Sequence, residues 1–106
     1  MFVNAMTAAM RLREFLAAVY GDKYAEDAAA LGLRALRQAG QQLLERLPSS
    51  SEWEVKRDVL RLYLGVADGY PYAPAEIGRM LGLNVNPDDI GAIGVAAVQT
   101  FRSQRT

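Results

Sequence analysis

One hundred and six residues, 51% hydrophobic and 23% charged, make one globular domain: too short for two independent cores and without a disorder signature. The chain has no Cys and no His, which excludes disulfides, thiol nucleophiles and Cys/His zinc sites, and removes the side chain most used as a general base near neutral pH. Twelve basic residues balance twelve acidic ones, so no global positive field draws the chain toward nucleic acid or anionic lipid.

The hydrophobic period is helical nearly throughout. Ala9, Leu12, Leu16 and Val19 recur at three- and four-residue steps, with Phe15 beside them and Arg11, Arg13 and Glu14 off the stripe. This predicts a first helix from about residue 5 to Tyr20, stopped by Gly21, with Asp22 as the cap of the next. The second and longer helix places Ala29, Leu33, Leu36, Leu43 and Leu47 on one face. Gly40 within it marks a kink or a close helix crossing. Pro48 and the serines 49–51 break the pattern, and Ser51 caps a third helix whose first turn carries Glu52 and Glu54.

That third helix carries Val55, Val59, Leu62 and Tyr63 on one side and ends near Gly65. Residues 66–73 read as a loop turning at Asp68-Gly69. Pro74 opens a short helix with Ile77, Met80 and Leu81 on one face, and Gly82 stops it. Asn86, Pro87, Asp88 and Asp89 then read as cap, first position and two dipole-matched acids of a last helix, with Ile90, Ile93, Ala97 and Phe101 as its buried stripe. No run of β-branched and aromatic residues alternates with polar ones. The expectation is an all-α chain of about five helices. Residues 1–47 are expected to form an αα-hairpin and 51–106 a compact trihelical unit, with Trp53 either anchoring the two together or standing as an exposed contact.

Catalytic chemistry finds no support. The carboxylate pairs Glu26/Asp27, Glu52/Glu54 and Asp88/Asp89 fall at or near helix starts, where dipole and capping explain them. Ser49, Ser50 and Ser51 have no histidine to activate them, and Gly91 and Gly94 belong to no phosphate loop. A non-enzyme without metal or cofactor is expected. No stretch approaches the ~20 apolar residues that span a bilayer, and Met1-Phe2-Val3 carries no basic leader, so a cytoplasmic protein is expected.

The segment 59–65 (Val-Leu-Arg-Leu-Tyr-Leu-Gly), then Asp68-Gly69, then 71–83 (Pro-Tyr-Ala-Pro-Ala-Glu-Ile-Gly-Arg-Met-Leu-Gly-Leu) resembles the C-terminal helix-turn-helix domain of bacterial primary sigma factors. Leu47-Pro48 sits where that family has Leu-Pro, and the resemblance covers about residues 47–102. It implies a transcription regulator, non-enzymatic, that docks on the flap of the RNA polymerase β subunit or on a transcription factor. The face so implied is Leu60, Tyr63, Leu64, Tyr70 and Tyr72, rimmed by Arg57 and Arg61. Large aromatic and arginine side chains are the usual anchors of such contacts.

The family's base-reading helix is degenerate here. Asp88 and Asp89 occupy its tip, where carboxylates repel phosphates, and Gly91, Ala92 and Gly94 offer no forked hydrogen bonds to bases. Arg79, Arg102 and Arg105 remain as nucleic-acid contacts, so any DNA binding is weak. The alternative function is a dimeric helix-turn-helix repressor. It requires a basic surface from Arg11, Arg13, Arg34 and Arg37. In the sigma-like reading the N-terminal helices supply a further partner face or a homodimer interface.

Overall fold

The computed structural model describes residues 2–21, 26–27 and 30–104. The chain is all-α: five helices are bounded among the described residues, namely α1 (Phe2–Tyr20), α2 (Leu33–Leu44), α3 (Ser51–Tyr63), α4 (Pro74–Leu81) and α5 (Pro87–Gln104).

Several boundaries differ from the sequence-based expectation: α1 starts at Phe2 and not near residue 5, and α2 ends at Leu44, so that Leu47 lies beyond it. The second helix starts at Leu33, because Gly32 is extended (φ −76°, ψ 168°) and serves as its cap. A single glycine in a periodic apolar stretch is tolerated in a helix at about 1 kcal/mol; this one stands before the helix as its cap instead. Asp22 and Ala29, assigned to that helix, lie outside the described residues. The cap of α3 is Ser50, not Ser51: its hydroxyl accepts the Trp53 N–H at 3.2 Å, the reach that places the cap three residues before the bonded amide.

Other boundaries follow their local chemistry. Glu76 accepts the Ala73 N–H at 3.0 Å at the start of α4. Gly82 closes α4 in the left-handed region at φ +67°, which a side chain rarely adopts. Asn86 and Asp89 form a reciprocal box at α5, with Asp89 N–H donating to the Asn86 amide oxygen at 2.9 Å and Asn86 N–H to the Asp89 carboxylate at 3.1 Å.

One apolar cluster joins α1, α2, α3 and α5 through Leu12, Leu16, Leu36, Leu44, Leu60, Leu64, Ala97 and Phe101. The helices α1 and α2 pack together, and α1 packs also against α5. Gly40 permits the first pairing: a Cβ there would lie 2.9 Å from Leu12 Cδ2 and 3.2 Å from Val66 Cγ2. A second cluster, Val59, Ile77 and Ile90, holds α4 and α5 on α3. The turn after α4 crosses directly over Gly78, where a Cβ would meet the Leu83 carbonyl at 2.6 Å. Trp53 is half-buried against the main cluster, with Lys56 Nζ 4.8 Å from its ring centroid.

Candidate functional site

Where α1 packs against α5, a groove of about 510 Å³ opens between them over residues of α3. Its floor is Leu60 and Leu64 of α3, its α1 wall Phe15 and Ala18, and its α5 wall Ile90, Gly91, Gly94, Val95 and Val98. Apolar side chains make most of this lining. The walls are tied at two points: Phe15 meets Phe101 edge-on, centroids 6.2 Å apart, and Arg102 Nε donates to the Ala18 carbonyl at 3.1 Å. The α5 wall is open at two points, since nothing lies within 4 Å of a Cβ built on Gly91 or Gly94, while Val95 beside them is 58% exposed. Arg11, Glu14, Gln99 and Arg102 supply the polar rim.

Of the seven residues expected to face a partner, Leu60, Tyr63 and Leu64 meet at this groove. Leu60 and Leu64 are themselves core residues, 2% and 3% exposed, so they offer a floor and not a protruding contact. Tyr63 is covered by Arg11, whose guanidinium carbon lies 4.0 Å from the ring centroid. Tyr70 and Tyr72 pair with each other elsewhere, centroids 4.6 Å apart, and the Tyr72 hydroxyl donates to Asp68 at 2.6 Å. That hydrogen bond to a carboxylate holds the Tyr72 phenol above its ordinary pKa.

Arg57 does not stand at a solvent rim. Its guanidinium donates to the carbonyls of Leu44, Leu47 and Pro48 at 3.0, 2.9 and 3.1 Å, capping the end of α2. Arg61 is half-buried, its Nη1 3.7 Å from Asp58. Among the nucleic-acid candidates, Arg79 is exposed on α4, Arg102 is tied to Ala18, and Arg105 lies outside the described residues.

The four arginines of the repressor alternative do not make one basic surface. Arg11 donates to the Tyr63 and Tyr72 carbonyls at 2.9 and 3.1 Å, Arg13 to Leu31 at 3.3 Å, and Arg37 to Val66 at 3.2 Å. Only Arg34 of the four is exposed.

The α5 tip is acidic and exposed at both Asp88 and Asp89. Elsewhere, Lys56 bonds Glu52 at 2.8 Å and holds that carboxyl below its ordinary pKa. No group of three metal-ligating side chains occurs among the described residues, and none of their helices is long and apolar enough to cross a membrane.

Sequence analysis missed the contribution of α1 to the site. Phe15, set beside the α1 stripe, was its local trace: an aromatic flanking an apolar face widens that face toward a second neighbour. No family model, curated protein or solved structure matches the chain.

Proposed function

We propose that this chain is a non-enzymatic, cytoplasmic transcription regulator, built on a sigma-like helix-turn-helix scaffold and acting by protein contact, with RNA polymerase at its β flap or with a transcription factor. The observation that carries the proposal is the composition of α5: carboxylates at the exposed tip and Gly91, Gly94 and Val95 along the groove wall. Carboxylates at the tip oppose phosphate, and glycines cannot discriminate base pairs. The same open wall lets an approaching helix come close and bury apolar area, the main favourable term in protein association. The close turn over Gly78 and the Asn86 box between α4 and α5 are in keeping with the two-helix element that the sigma resemblance implies.

The experiment mixes the purified chain with core RNA polymerase and, separately, with labelled duplex DNA. Co-elution with polymerase is the expected outcome. Salt-dependent duplex binding without polymerase co-elution would overturn the proposal in favour of the repressor.

A further inference from the structure

On the side of α2 away from the core, Arg34, Arg37, Gln38, Gln41 and Gln42 line a groove of about 400 Å³ closed at one edge by Val66. Every polar side chain in that lining carries N–H donors, and none is a carboxylate. Helix α2 holds two arginines and no acid in its whole length.

Arg34 is in the wrong place for helix stability. It sits in the first turn of α2, where the dipole favours anions, and the Gly32 cap has no side chain to satisfy the free amides. It is exposed, and among the described residues no carboxylate pairs with it. Arg37, by contrast, is fixed: one Nη donates to the Val66 carbonyl at 3.2 Å, and its guanidinium lies close over Gly69. Its Nε is buried without a hydrogen-bond partner. A positioned guanidinium at Arg37, an exposed one about a turn before it at Arg34 and the neighbouring amide of Gln38 offer a tetrahedral oxyanion charge and forked N–H groups, while the Gln41 amide already donates to the Glu45 carboxylate at 3.4 Å.

We propose that the α2 face of Arg34, Arg37 and Gln38 binds a phosphate oxyanion, free or carried on a nucleic-acid backbone. Binding there offsets the unfavourable cation at the α2 start. The site is separate from the groove between α1 and α5, and its fate does not depend on the protein-contact proposal.

The test titrates the ¹⁵N-labelled full chain with inorganic phosphate at constant ionic strength, following the arginine Nε–H and glutamine amide signals. A second arm measures binding of a labelled oligonucleotide duplex. Saturable shifts at Arg34, Arg37 and Gln38 are expected, and Arg34→Glu should weaken binding about tenfold or more, as loss of a charge-assisted bond does. Arg34→Gln should weaken it less, and Arg46→Glu, an exposed arginine outside this groove, should leave it unchanged. Duplex binding that free phosphate displaces and Arg34→Glu removes assigns the ligand to a nucleic-acid backbone; saturation by phosphate with no duplex binding assigns it to a free oxyanion. Shifts at none of these groups with no duplex binding sensitive to Arg34, or equal weakening by Arg46→Glu, would overturn the proposal.

Discussion

Arg11 of α1 straddles Tyr63 of α3: its guanidinium lies over the ring at 4.0 Å while Nη1 donates to the same residue's carbonyl at 2.9 Å. A further bond to the Tyr72 carbonyl at 3.1 Å ties the loop before α4 to the same side chain. One charged group thus locks α1, α3 and that loop together at the groove rim. Arg11→Met keeps the aliphatic stem and removes the fork. It should destabilise the fold by about 1.5–3 kcal/mol, the scale of a charged donor's loss. For a domain of this size each kcal/mol corresponds to roughly 4–8 °C in Tm, which thermal unfolding by circular dichroism would read.

The glycines separate into two kinds. Gly78→Ala puts a Cβ 2.6 Å from the Leu83 carbonyl, a backbone atom that cannot swing aside, so the turn must shift. A loss of about 1–3 kcal/mol in urea unfolding is expected. Gly94→Ala meets nothing within 4 Å in mid-helix, and should stabilise by about 0.5–1 kcal/mol.

Asp88 is exposed at the α5 tip and takes no part in the Asn86–Asp89 box. Asp88→Arg therefore leaves the box intact while reversing the charge there. Fluorescence anisotropy with nonspecific duplex at low salt should show tighter binding for this variant than for the parent, with a steeper salt dependence. Unchanged anisotropy would mean that the tip is turned away from any approaching backbone.

Tyr72 donates to Asp68 at 2.6 Å, and this bond raises the phenol pKa. A raised native pKa means that the folded state holds the proton more tightly than the unfolded state does. The stabilisation is complete below the unfolded tyrosine value of about 10 and is lost as pH rises through the higher native value. Ultraviolet titration should find one phenol ionising late in the parent protein and earlier in Asp68→Ala. Over the same alkaline range the parent should lose stability more steeply than the variant.

Local chemistry made much of the fold legible in advance. The Asn86 cap with its paired acid, Pro74 at a helix start and Gly82 at a helix end are each signalled by a few adjacent residues. What escaped was nonlocal. The bond from Arg102 to Ala18 spans 84 positions, and nothing in either helix alone announces that α1 and α5 will share a groove. The arginines escaped for a related reason. A cation on the polar face of an amphipathic helix looks solvated, yet Arg57 and Arg11 extend past that face to reach carbonyls left free at helix ends and loops. The glycine wall of α5 was visible as Gly91, Ala92 and Gly94, but only the placement of α1 turned it into one side of a groove.

Filling that groove separates protein docking from every other role of α5. Gly91 has open space around its Cβ position, so Gly91→Trp should fold with undiminished Tm and lay an indole into the groove. The decisive measurement is the affinity of this variant and its parent for core RNA polymerase, by surface-immobilised binding. Parent binding, weakened at least about tenfold in the variant, is the predicted result. Equal affinity of the two proteins, with the variant demonstrably folded, would contradict the assignment of the groove as the docking surface.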